Sequence, residues 1–118
     1  MCKRILIVDD SSIMRRMIRK TLEPGRHKIV GEAQNGHEAV RMYKALKPDI
    51  VTMDVTMRGM DGLTAAKEIL QYDNEAQILF LSNFNAEAYS DNAALMGAIG
   101  YVNKNKSGEI LKLINNID

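Results

Sequence analysis

A chain of 118 residues has the length of one domain. Its apolar fraction of 46% and charged fraction of 26% are those of a globular protein, and a net charge of +1 gives no argument for nucleic acid or an acidic partner. The single cysteine, Cys2, excludes an internal disulfide. No apolar run approaches membrane-spanning length, and Met1 leads into a predicted strand with no signal-peptide core, so a cytoplasmic protein is expected.

Ile5 to Val8 is a continuous apolar run that reads as a buried strand and runs directly into Asp9 and Asp10. Ser11 or Ser12 caps the helix that follows. On that helix Ile13 and Met17, with Met14, Ile18 and Leu22, repeat at i+4 and predict one apolar stripe. Arg15, Arg16, Arg19 and Lys20 fall elsewhere and read as a solvated face, and Pro24-Gly25 ends the helix. Ile29 to Ala33 is a shorter, more polar strand of edge type. Asn35-Gly36 signals a turn and helix start, and Ala39, Tyr43 and Leu46 carry a second helical stripe that stops before Pro48.

Ile50, Val51 and Met53 form a short apolar run, bounded by Pro48 and Gly59, with Asp54 at its far end. This is the signature of a third buried strand, and a carboxylate finishing such a strand is costly unless its charge is used. Leu63 to Tyr72 reads as a third helix with Ala66, Ile69 and Leu70 inside. Ile78 to Leu81 is a fourth buried strand ending in Ser82, and residues 86 to 96 read as a fourth helix. Ile99 to Val102 is a fifth strand, followed by Asn103-Lys104-Asn105-Lys106, and Ile110, Leu113, Ile114 and Ile117 mark a fifth helix. His27 and His37 have no metal-type ligand near them in sequence and read as surface residues, while the eight methionines read as core filler.

The order (βα)5, with no linker and no repeat, predicts one domain over residues 1–118 without an output domain. Strands alternating with helices imply a parallel sheet covered on both faces. The carboxyl ends of parallel strands share one edge, where ligands of open α/β sheets bind. That edge collects Asp9 and Asp10, Asp54, Ser82 and Lys104. Three carboxylates together repel one another unless a cation sits among them, and a hard divalent ion such as Mg2+ suits oxygen ligands. A hydroxyl and an ammonium opposite can hold phosphoryl oxygens, with Asp54 as a possible covalent acceptor. Taken singly, each aspartate could equally be a helix cap, Ser82 a turn residue, Lys104 a solvated lysine and Tyr101 a core aromatic. Their convergence on one edge favours the metal site. Gly31 to Gly36 has P-loop spacing, but His37-Glu38 follow where Lys and Ser or Thr are needed. A haloacid-dehalogenase-like phosphatase would want a second Asp two residues after the nucleophile, and Thr56 stands there.

The stretches VDDSSIMRR, DIVTMDVTM, Leu81-Ser82 and GAIGYVNK resemble the receiver domains of bacterial response regulators, above all the stand-alone chemotaxis type. The resemblance implies a flavodoxin-like, doubly wound sheet of order 2-1-3-4-5. It implies that Asp54 takes a phosphoryl group from a histidine kinase of chemotaxis type. Mg2+ would be held by Asp10, Asp54 and the backbone carbonyl of Thr56, with Asp9 assisting through water. Ser82 and Lys104 would contact the phosphoryl oxygens, and the rotamer of Tyr101 would report the state. No external substrate would be turned over; the chain would catalyse only its own phosphorylation and hydrolysis. The implied target is a flagellar motor switch protein or another protein, bound by a monomer through the fourth helix, fifth strand and fifth helix. A phosphatase is a further possible partner, membrane and nucleic acid are not, and a phosphorelay intermediate is the alternative role. Arg58 and Asn105 stand where the family usually has proline, and Asn83 where it has a small residue; all three bear on loop shape rather than on the charged site. Because a cis bond before a residue other than proline costs roughly 2.5–4 kcal/mol, the Lys104-Asn105 bond is expected to be trans.

Overall fold

A computed structural model describes residues 3–55, 57, 59–82, 99–103 and 107–116. Strands β1 (Arg4–Val8), β2 (Lys28–Ala33), β3 (Ile50–Asp54), β4 (Ile78–Ser82) and β5 (Gly100–Asn103) form one sheet in the order β2-β1-β3-β4-β5. Every neighbouring pair is parallel. The helices are α1 (Ser12–Leu22), α2 (Gly36–Leu46), α3 (Gly62–Tyr72) and α4 (Ser107–Asn115), with a 3-10 turn at Glu23–Gly25. This is the flavodoxin-like doubly wound α/β fold. The helix expected over residues 86 to 96 lies outside the described residues, as do Arg58, Asn83 and the Lys104-Asn105 bond.

The central strands are apolar throughout because both of their faces are covered. All five residues of β3 and of β4 are buried, as are four of the five in β1. Alternate side chains go to opposite layers. Leu6, Val8, Val51, Met53, Ile78 and Phe80 pack against α2 and α3, where Ala39, Tyr43, Ala66 and Ile69 meet them. Ile5, Ile7, Ile50, Leu79, Leu81 and Val102 pack with Ile18 and Leu22 of α1 and with Ile110 and Ile114 of α4. β2 lies at the edge, half-buried along most of its length, as its polar sequence predicts. The helices start where side chains accept orphan N–H groups. Ser11, rather than Ser12, caps α1 through Met14 N–H; Asn35 caps α2 and Asp61 caps α3.

Three expectations are corrected by the packing. The predicted stripe of α1 divides: Ile18 and Leu22 are buried and Met14 is half-buried, but Ile13 is 72% exposed and Met17 48%. Positions 13 and 17 lie one residue, about 100°, round the helix from 14 and 18, and only the latter row meets the sheet. Arg15 and Arg19 are half-buried rather than solvated. Arg15 Nε donates to Glu32 Oε1 at 3.1 Å, and Arg19 Nη2 to Glu32 Oε2 at 2.6 Å. His27 is buried at 5% exposure, not on the surface. Its Nδ1 accepts from the Lys3 N–H at 3.2 Å, and its Nε2 meets Asn115 Oδ1 at 2.7 Å, so both ring nitrogens are satisfied in the turn that packs beneath α4.

α3 begins hard against the end of β3. A Cβ on Gly62 would collide with the carbonyl oxygen of Asp54 and lie 2.9 Å from Val55 Cα. The Gly62 N–H donates to the Val55 carbonyl at 2.9 Å, so neither backbone can withdraw cheaply. At the far end of the same helix, Tyr43 donates to Asp73 Oδ2 at 2.8 Å and ties α2 to α3. Burial, and then the Asp73 carboxylate, push the Tyr43 hydroxyl well above its usual range, which keeps it a donor.

Gly62→Ala is expected to lower stability by about 1–3 kcal/mol or more through overpacking against backbone. Chemical denaturation measures it, and a neutral effect would contradict the close approach. Arg19, through its hydrogen bond first and its charge after, holds the Glu32 carboxyl below its ordinary 4.5, with Arg15 adding to it. A depressed folded pKa contributes stability above the unfolded pKa that is lost as pH falls through the folded value. The Tm deficit of Glu32→Gln should therefore be full well above pH 4.5 and shrink as the pH falls below it. A deficit independent of pH would contradict the pairing.

Candidate functional site

The carboxyl ends of β1 and β3 carry the acidic residues. Val8 pairs with Met53, so the residues that follow, Asp9 and Asp54, leave the sheet side by side. Asp54 in turn pairs with Leu81, and Ser82 ends β4 one step further on. Asp9 is 0% exposed, Asp54 3% and Ser82 1%, whereas Asp10 faces solvent. One carboxylate oxygen from each of Asp9, Asp10 and Asp54 lies within 4.8 Å of the others.

Asp9 makes a turn contact and also lies in the acidic cluster. Its Oδ1 accepts the Ser11 N–H at 2.9 Å, a turn-forming contact at the entrance to α1. Its N–H donates to the Ala33 carbonyl at 3.0 Å, and its own carbonyl accepts from Arg15 Nη1 at 2.7 Å. The backbone is thus tied to β2 and to α1, while the carboxylate belongs to the cluster. Unit negative charges at such separations repel by on the order of 3 kcal/mol per pair at an effective dielectric near 20. A positive charge among them offsets such repulsion.

The donor set is chemically that of a hard divalent cation. All three ligands are oxygen, two are buried and fixed, and one faces water, which leaves room for the waters that Mg2+ retains. The residues present therefore fit Mg2+. Ser82 stands beside this set at the end of β4. Tyr101 lies one strand further out, half-buried, paired in register with Phe80; their ring centroids are 6.4 Å apart. Its ring packs against the core layer under α2 and α3, and it sits one strand from Ser82. The Thr56 carbonyl and Lys104, the remaining predicted members, lie outside the described residues.

Sequence reasoning missed Gly62, Arg15 and Glu32. Gly62 follows Asp61 at a helix start, where its close approach to the Asp54 backbone shows only once the helix is packed. Arg15 and Glu32 carry no such sign, because their pairing depends on how α1 lies across β2.

A response regulator receiver domain model matches residues 5–115. The chemotaxis protein CheY of Thermotoga maritima is 45% identical over 88% of this chain and 87% of its own length. CheY of Bacillus subtilis is 43% identical over 98% of this chain and 97% of its own length. The crystal structure of a CheX–CheY–BeF3–Mg2+ complex from Borrelia burgdorferi contains a chain that matches with a TM-score of 0.89 at 30% identity, covering 94% of this chain and 85% of that one. With the sheet order, the acidic edge and these likenesses in agreement, the chain belongs to the response regulator receiver domain family.

Proposed function

We propose that this chain is a response regulator of chemotaxis type, switched by phosphorylation of Asp54. The observation that carries this reading is the meeting of the Asp9, Asp10 and Asp54 carboxylates within 4.8 Å at the carboxyl edge of the sheet. Likeness to CheY over nearly the whole chain supports the chemotaxis assignment.

In this reading one carboxylate oxygen of Asp54 attacks the phosphorus of a phosphohistidine on the kinase. The P–N bond breaks, an acyl phosphate forms, and the imidazole leaves with its electron pair. Asp10, Asp54 and the Thr56 carbonyl would hold Mg2+, with Asp9 assisting, and the ion would neutralise charge on the carboxylates and the phosphoryl oxygens. Ser82 and Lys104 would bind the phosphoryl oxygens. Water later cleaves the O–P bond and restores the carboxylate, so the chain turns over no external substrate.

The drawing of Ser82 toward the phosphoryl group opens space that Tyr101 fills. That change matters only through a partner that binds one state better. The partners proposed are a histidine kinase and a flagellar motor switch protein, the latter bound through residues 86 to 96, β5 and α4. CheX, the partner of CheY in the Borrelia complex, is a model for a third kind of partner. The described residues include no helix long and apolar enough to cross a membrane. A cytoplasmic monomer fits this role.

Incubation with Mg2+ and a small phosphodonor should add one phosphoryl group, and Asp54→Ala should abolish it. Labelling of Asp54→Ala at the native rate would overturn the reading. Asp10→Ala should weaken Mg2+ binding by at least about tenfold in calorimetry. In metal-free melts the same variant should be no less stable than the native protein, because repulsion is relieved. A lower metal-free Tm for Asp10→Ala would instead assign that carboxylate a structural role.

A further inference from the structure

We infer that Arg15 is a positioning residue for the acidic site, acting through the peptide that joins Asp9 to Asp10. The inference rests on the reading of that site as a Mg2+ site. Asp9 is fixed without Arg15: its N–H is bonded to Ala33, its Oδ1 to the Ser11 N–H, and it is buried. Asp10 is exposed, and among the described residues no hydrogen bond holds its carboxylate. What aims Asp10 is the peptide plane before it. Arg15 Nη1 donates to the carbonyl of that peptide at 2.7 Å. The unit is planar, so holding its oxygen fixes the direction in which the chain enters Asp10.

The arginine is itself held. Its Nε donates to Glu32 Oε1 at 3.1 Å, and Glu32 Oε2 accepts from Arg19 Nε at 3.0 Å and from Nη2 at 2.6 Å. Glu32 precedes Ala33, the residue that bonds the Asp9 N–H, so β2 ties the acidic loop at two consecutive positions. The guanidinium spans Glu32 and the Asp9 carbonyl with two nitrogens of one rigid plane, which a lysine ammonium cannot do. Partly exposed ion pairs contribute little to stability, with a median of about 0–1 kcal/mol. Positioning is the larger role left to this arginine.

Electrostatics and positioning predict opposite signs. Removing a cation beside three carboxylates should strengthen Mg2+ binding if charge alone matters. If Arg15 aims Asp10, removing it should weaken binding, and partners that orient metal ligands typically matter by about 10–100-fold. Calorimetric titration of the native protein, Arg15→Ala and Arg15→Lys with Mg2+ decides between them. Both variants should bind about tenfold more weakly, and lysine should fail to rescue. In the metal-free proteins the Asp10 amide resonance should shift in both variants. Arg15→Lys keeps the charge and the apolar stem, so it carries the test if Arg15→Ala does not fold. Native-like or tighter binding by either folded variant overturns the positioning role. Absence of Mg2+ binding to the native protein overturns instead the metal-site reading, and this inference with it.

Discussion

Mutual repulsion between three carboxylates at one sheet edge is the constraint that the rest of this structure serves. Asp9 and Asp54 are buried, and their oxygens share a space with that of Asp10 within 4.8 Å. They are kept together because the strands beneath them are fixed: β1 and β3 are paired in register, buried on both faces, and sealed between two apolar layers. Hydrophobic burial along Ile5 to Val8 and Ile50 to Met53 thus fixes the strand ends that bring the three carboxylates together.

The loops around the cluster are held mainly by backbone contacts. The Asp9 N–H and carbonyl are both bonded, to Ala33 and to Arg15. The Val55 N–H is bonded to Leu81, and Gly62 brings α3 into contact with the Asp54 carbonyl. Main-chain tethers thus fix the loops that carry the carboxylates. β2, an edge strand fully buried only at Ala33, becomes an anchor, since Ala33 bonds the Asp9 N–H and Glu32 holds Arg15. An interaction that adds little stability can in this way set the geometry of a ligand.

The parts legible in the sequence are those governed by local pattern. Apolar runs marked the central strands because burial on both faces leaves no alternation to misread. Ser11, Asn35 and the stops at Pro24 and Pro48 marked helix ends because caps and breakers act within a few residues. The aspartates could be grouped because parallel strands bring their carboxyl ends to one edge whatever the strand order; the order itself came from family resemblance. The illegible parts depend on how one element lies on another. α1 offered two apolar rows, and only contact with the sheet selects the one through Ile18 and Leu22. Arg15, Arg19 and His27 looked solvated because their partners, Glu32, Lys3 and Asn115, are remote in sequence. Gly62 lay within the most informative stretch, yet its role appears only when α3 is packed on β3.

The measurement that bears most directly on the central claim is chemical trapping of the phosphorylated residue. An acyl phosphate on an aspartate is reduced by borohydride to homoserine, and peptide mapping by mass spectrometry then locates it. After treatment with phosphodonor and Mg2+, homoserine is predicted at position 54 alone, and omission of Mg2+ should leave position 54 as aspartate. Homoserine at position 9 or 10, or acid-stable phosphate on a hydroxyl residue, would contradict the account.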